Sequence, residues 1–534
     1  MSNLAKLAIT NIAMHGDTDI FPFPIENALF FDKLETIANL LPEIERKFED
    51  WLSSYPVEAI RTCIPVGYTG FRWATLIDPI WNAFLLFQVL KAADAIEKAR
   101  LPKEKNTVFS YRFQPDEVGG TLFNKDVNWK KYYQNAIEIA DSKEFSYVVR
   151  FDISDFYNRI YHHRLDQALV HAGVDSNVVF RIKKILQDIS INVSYGLPVG
   201  GNAARILAEI LLNPMDQLMA SKRIRYCRFV DDYIVFADSK EDGFRKLNWC
   251  ADYLLRNEGL SLSKGKTQLQ KCSEFIAHAK ATIEGQDDTK SRERAAFLQI
   301  HIHYDPYSAT ADEDYHELKE KLDKFDIISL IKNEIRKSQI HQALGKQLMS
   351  AVRFLEGEKL NLALNVICSN FDALYPVLPT VMQVVSKKLT QTDANTQQKV
   401  GDLIYDLIDN DSYLLQTDNN AAYSVRILSR INSEKSNQAI DALYSRTTSP
   451  LVKANCIYAM TNLQNHYWLS DIKSRFSTLS KWERRAFIAA SYSLRDEGKH
   501  WRDHTSEQFT VLEKYLKEWI SSKNPLTSGW KLPL

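Results

Sequence analysis

Residues 226–240 read YCRFVDDYIVFADSK. Apolar and β-branched residues press in on two adjacent carboxylates, Asp231 and Asp232, in a pattern that suits two short strands joined by a tight turn. A turn at Val230-Asp231-Asp232 sets like charges where the chain folds back on itself. Upstream, FSYVVRFDISDFYNRIYHHRL repeats the theme. Phe145 to Phe151 is an apolar run of strand length ended by Asp152, and a helix-compatible segment follows Asp155, which suits an N-cap.

If the strand ending at Asp152 lies beside the hairpin, three carboxylates converge. Such charges raise one another's pKa values unless a cation sits between them. A pair of Mg²⁺ ions held by acidic side chains is the arrangement that serves in-line phosphoryl displacement, and Mg²⁺ prefers oxygen ligands and shares its shell with substrate phosphates. Between the acidic segments, YGLPVGGNAARILAEILLNPMDQLMA reads as a Gly/Pro turn opening a helix, with Ala203, Ile206, Leu207, Ile210 and Leu211 on one side. GLSLSKGKTQL follows the hairpin after a helical stretch.

This ordered set resembles the reverse-transcriptase palm, with DISDFY as motif A, LPVGG as motif B, FVDD as motif C and LSKGKT as motif D, over roughly residues 60 to 280. The resemblance implies that Asp152, Asp231 and Asp232 are the catalytic carboxylates and the ligands of a two-Mg²⁺ site. It implies that Tyr157 stands against the sugar of the incoming nucleotide and favours deoxynucleoside triphosphates, and that Lys266 serves at the pyrophosphate leaving group. Val199 and Gly200 fall in the turn that meets the nucleotide. Arg72 in GFRWATLIDP and Arg112 in VFSYRF fall in the fingers, where basic residues grip a triphosphate.

Two departures narrow the resemblance. Val199 stands where most reverse transcriptases have Gln, and FVDD replaces the commoner Tyr-x-Asp-Asp. With SYR in the fingers and ARILAEI after the turn, the chain is similar to the abortive-infection and defence-associated reverse transcriptases of bacteria. That branch implies cytoplasmic antiphage DNA synthesis, untemplated or directed by a noncoding RNA and primed by a protein tyrosine, so that product DNA is covalently attached. It also implies homo-oligomers, trimers or hexamers. The alternatives are a conventional RNA-templated reverse transcriptase and a catalytically silent module that binds nucleic acid or senses phage.

From about residue 310 the pattern becomes helical. VGDLIYDLID puts Val400, Leu403, Ile404, Leu407 and Ile408 on one face, and PLVKANCIYAMTNL resembles one helix of a HEAT-like repeat. The expected fold is an α+β reverse-transcriptase fingers and palm, residues 1–285, followed by an all-α HEAT-like helical repeat domain, residues 286–534, with the polar stretch IEGQDDTKSRER at the boundary.

Lys plus Arg and Asp plus Glu both number 67, so no long-range field announces a polyanionic partner and any such binding rests on local patches. KRIRYCR offers Lys222, Arg223, Arg225 and Arg228 beside the acidic turn; KSRFSTLSKWERRAF reads as plain surface, diluted by its acids. His162 and His163 read as a polar patch. Six scattered cysteines form no C-x-x-C, which argues against a zinc site or a disulfide framework and for a reducing cytosol. WNAFLLFQVL is too short an apolar run to span a bilayer, and the reading is a protein with no membrane attachment.

Overall fold

The structure is a computed structural model that describes residues 3–18, 20–190, 193–284, 297, 318–337, 339–523, 525 and 530–533. The chain divides into two compact bodies. The first comprises Met1–Phe23, Phe30–Ala59 and Thr75–Ala295; the second comprises Pro24–Leu29, Ile60–Ala74 and Ala296–Leu534. The expected domain cut at 285/286 lies outside the described residues.

Eight strands are present among the described residues. β1 (Ala59–Val66) pairs with β2 (Gly70–Ile77), and β3 (Phe113–Asp116) pairs with β4 (Thr121–Phe123). β5 (Tyr147–Asp152), β6 (Tyr226–Phe229), β7 (Asp232–Ala237) and β8 (Gln268–Lys271) form one antiparallel sheet in the order β6-β7-β5-β8. Val148, Val149 and Phe151 of β5 and Tyr233 to Ala237 of β7 are all buried. The two central strands are therefore covered on both faces, which is why they read as nearly continuous apolar runs.

The helices Trp129–Asp141 and Cys272–Glu284 pack together on one face, where Tyr132, Ala136, Phe275 and Ala279 join Val148, Ile234 and Phe236 in a core. The helix Lys240–Tyr253 packs against β7 and β5. Its Gly243 permits a close approach, since a Cβ there would run into the Leu269 side chain and come within 3.2 Å of Val149 Cγ2. The helix Pro79–Ala99 is buried along most of its length, and Asp78 caps it by accepting from the Ile80 N–H at 3.2 Å, with Pro79 in the first turn. No helix among the described residues is long and apolar enough to cross a membrane. All six cysteines are free thiols.

In the second body every other helix packs on the next. Gln342–Val352, Leu378–Lys388, Asp418–Leu428, Pro450–Asn462, Lys481–Ala490 and Val511–Ser522 form one layer, while Gly357–Cys368, Ala394–Asp409 and Glu434–Arg446 form another. Pro450 opens its helix, and Val452, Cys456, Ile457, Met460 and Leu463 are buried. One expectation fails here. Arg485, read as surface, is 1% exposed and ion-paired with Glu26 at 2.9 Å, because its helix turns that residue inward and the charge needs a partner.

Candidate active site

Asp152 ends β5 and Asp232 begins β7, and the two are directly opposed in the antiparallel register. Directly opposed residues share a face of the sheet, so two like charges stand side by side. Asp231 occupies the β6-β7 turn, and its carbonyl accepts the Ile153 N–H at 3.2 Å. The sequence-predicted carboxylates thus meet at one edge of the central strand pair. The segment around Lys266 is stitched to the same spot: Ser263 N–H donates to Asp152 O and Ser154 N–H donates to Ser261 O, both at 2.8 Å. From there Lys266 Nζ donates to Asp152 Oδ2 at 2.5 Å.

The electrostatics follow from this crowding. Burial, then the charges of Asp232 and Asp152, push the Asp231 carboxyl up to about 7. Burial and Asp152 raise Asp232 as well. The Lys266 ammonium is lowered by desolvation and raised by its bond to Asp152 and by the other carboxylates, and the net shift is upward. The cluster is therefore short of positive charge. Among the described residues no three acidic, histidine or cysteine side chains close into a ready-made metal cage, and Asp152 is turned to Lys266. As donors, three carboxylates fit a hard divalent cation.

The turn itself is strained. Val230 has φ 57°, a left-handed conformation that costs a β-branched residue free energy. Two side chains hold it: Ser110 Oγ accepts the Val230 N–H and Arg228 Nη1 donates to the Val230 carbonyl, each at 2.9 Å. Both belong to a buried network. Ser110 Oγ donates to Glu209 Oε1 at 2.5 Å, while Glu209 Oε2 accepts from Arg100 at 2.7 Å and from Arg228 at 3.0 Å. Arg228 also meets Asp216 through Nε and Nη2, and the Tyr226 hydroxyl donates to Asp216 Oδ1. Burial would lower the Arg228 pKa, but Asp216 and Glu209 hold it above its ordinary range.

Arg228 is fully buried, so it does not belong to a basic patch for nucleic acid; Lys222, Arg223 and Arg225 remain exposed. Arg112 is likewise turned inward, 4% exposed, paired with Glu97 at 2.8 Å and donating to Leu101 O. That position does not support a grip on triphosphate. Arg72 stands exposed on β2 between exposed Phe71 and Trp73.

Tyr157 is half-buried, and its phenol is raised by burial and by the charges of Tyr111, Glu209 and Asp231, which puts it within electrostatic reach of the cluster. Its carbonyl accepts the Leu197 N–H at 2.8 Å, tying it to the Gly/Pro turn. In that turn Gly200 has φ 125°, and a Cβ would come within 2.5 Å of Thr18 Oγ1 and Ile20 Cδ1, so glycine is required. The Val199 carbonyl accepts from Thr75 N–H at 3.4 Å.

Asp155 precedes the short helix Phe156–Arg159 but its side chain makes no capping bond, and its φ of 49° turns it away from cap geometry. His162 is 3% exposed, its Nε2 2.8 Å from the Gly196 carbonyl, so it supports the turn rather than forming a polar patch. His163 is exposed beside Gln167.

Residues 88–298 match the family model described as reverse transcriptase (RNA-dependent DNA polymerase). The chain carries a reverse-transcriptase domain. Asp152, Tyr157, Val199, Gly200, Asp231, Asp232 and Lys266 all fall inside the matched residues, and the domain is that of a reverse-transcriptase-like polymerase. No curated protein matches the sequence. Among solved structures, the chain is similar to telomerase from Candida albicans in complex with a fragment of telomeric RNA, at 12% identity and TM-score 0.29, covering 77% of this chain and 70% of that one. It is similar to apo telomerase from Candida tropicalis at 11% identity and TM-score 0.29, covering 76% and 72%. The family model, and not these loose superpositions, carries the assignment.

Proposed function

We propose that the protein is a Mg²⁺-dependent DNA polymerase that adds deoxynucleotides to a hydroxyl primer in antiphage defence. The observation that carries this reading is the opposition of Asp152 and Asp232 across β5 and β7 with Asp231 in the adjoining turn. Asp152, Asp231 and Asp232 are the residues that would hold magnesium, and magnesium when bound supplies charge that draws in the triphosphate and stabilises the leaving group. Lys266 adds a fixed ammonium beside Asp152. Tyr157 closes the space a ribose 2′-hydroxyl would need.

Protein priming, with synthesis untemplated or directed by a noncoding RNA, is the mode we favour. Its support is the sequence resemblance together with the apolar Val199 in the nucleotide turn. The layered helices of the second body are consistent with a HEAT-like repeat that holds product or partner, and the same branch assembles as trimers or hexamers.

The test is to incubate the purified protein with each labelled deoxynucleotide and Mg²⁺, with and without RNA, and to separate products on a denaturing gel. Label migrating with protein in the absence of RNA supports the proposal. Label that requires RNA and an annealed primer identifies a conventional reverse transcriptase. Binding without incorporation under any divalent metal identifies a silent module.

A further inference from the structure

The second body contains a cavity of about 480 Å³ built from the segments that follow three consecutive stacked helices. Ser429, Arg430 and Asn432 come after Asp418–Leu428; residues 461–466 come at the end of Pro450–Asn462; residues 489–493 come at the end of Lys481–Ala490, and Arg495 opens the next helix, Arg495–Thr505. The chain closes over it with Trp530, Lys531 and Leu532. This volume lies within the range of small-molecule sites, about 300 to 1,000 Å³.

The lining is one-sided in charge. Arg430, Arg495, Lys531 and His466 face the cavity, and no Asp or Glu is among the described residues that line it, in a chain whose acidic and basic residues are equal in number. Arg430 is half-buried, and desolvation holds its pKa below the ordinary value. Arg495 and Lys531 make no ion pair among the described residues. The carbonyl ends of helices attract cations, which accounts for Arg430 beside the end of Asp418–Leu428. It does not account for Arg495, which opens the helix Arg495–Thr505, or for Lys531, which lies beyond the last helix, Val511–Ser522.

Two lining residues are also held in left-handed backbone. Gln464 has φ 55° and Arg495 has φ 49°. Gln464 sits where helix ends favour glycine: its N–H donates to Thr461 O at 3.1 Å, and the Asn465 N–H donates to Met460 O at 3.0 Å. Both residues line the cavity wall from these turns.

We infer that this cavity binds a nucleotide-sized phosphomonoester. Arg430, Arg495 and Lys531 take the phosphate, the amides of Asn462 and Gln464 supply hydrogen bonds, and Trp530, braced edge-on by Trp519 at 5.4 Å, offers a ring to a base. The site uses only residues 390–532 and is independent of the carboxylate cluster.

The test titrates adenosine 5′-monophosphate, adenosine and inorganic phosphate into the full chain by calorimetry, with EDTA present so that no divalent metal assists. The monophosphate saturates one site, adenosine does not bind, and Arg495→Ala with Lys531→Ala weakens binding by at least about tenfold, the scale of a charged hydrogen bond. Arg495→Lys retains most of it, and Asp231→Asn binds like wild type. Both replaced side chains are exposed, so the double variant keeps the wild-type melting temperature. The inference is overturned if adenosine binds as well as its monophosphate, if the double variant binds normally, if binding disappears in Asp231→Asn, or if a 5′-phosphorylated hexanucleotide binds where the mononucleotide does not.

Discussion

The ammonium of Lys266 lies 2.5 Å from the Asp152 carboxylate, across 114 residues of chain. Lys266 is two-thirds exposed and Asp152 is nearly buried, so the contact stabilises the fold little and sets the charge at the acidic cluster instead. Lys266→Met is expected to slow single-turnover deoxynucleotide incorporation by about 10²-fold or more, the lower range for a positioned acid. Its urea midpoint stays within the small shift typical of exposed pairs. An unchanged rate would place Lys266 outside the chemistry.

The strained Val230 turn depends on groups that never touch substrate. Glu209→Ala leaves the buried Arg100 and Arg228 one compensating carboxylate short, with Glu97 and Asp216 remaining, and releases Ser110, and it is expected to cost about 3–5 kcal/mol in chemical denaturation. Ser110→Ala removes only the acceptor of the Val230 N–H and one bond to Glu209, and should cost about 1–3 kcal/mol. Equal losses, or none, would mean the turn is held by something else.

The hairpin and its carboxylates were legible because strand alternation and turn chemistry are local. The network beneath them was not. Glu209 sits within ILAEILL, where an acid on the buried face of an otherwise apolar helix is the only local signal of that network. Arg228 was counted with its basic neighbours because a charge tally ignores which way a strand points its side chains; opposite Tyr233 in β6-β7, it points into the interior. Arg112 and His162 turn inward to Glu97 and the Gly196 carbonyl, partners on distant segments that local sequence does not reveal.

Tyr157 provides a test of sugar selection. Tyr157→Ala is expected to raise ribonucleotide incorporation relative to deoxynucleotide incorporation by at least about tenfold, the order that opening a small steric gap supplies. The ratio of the two kcat/KM values measures it. An unaltered ratio would leave Tyr157 as a core aromatic packed on Phe156.

His162 gives a pH dependence to stability. Burial lowers its pKa from the ordinary value, against the hydrogen bond to Gly196. The unfolded chain therefore takes up the proton first as pH falls through about 6.5, and the folded chain only at a lower pH. Stability contributed by the neutral imidazole is full above that pH and is lost below it. His162→Gln should flatten this part of a melting-temperature profile between pH 7 and 5; an unchanged slope would assign it to other groups.

The central claim is that three converging carboxylates make this chain a polymerase, and Asp231→Asn tests it most directly. Because Asp231 is raised by burial and by its neighbours' charges, removing its charge relieves repulsion, and the variant should melt at or above the wild-type temperature. Incorporation of labelled deoxynucleotide with Mg²⁺ should fall to background in the same preparation. A folded variant that incorporates at the wild-type rate would contradict the account.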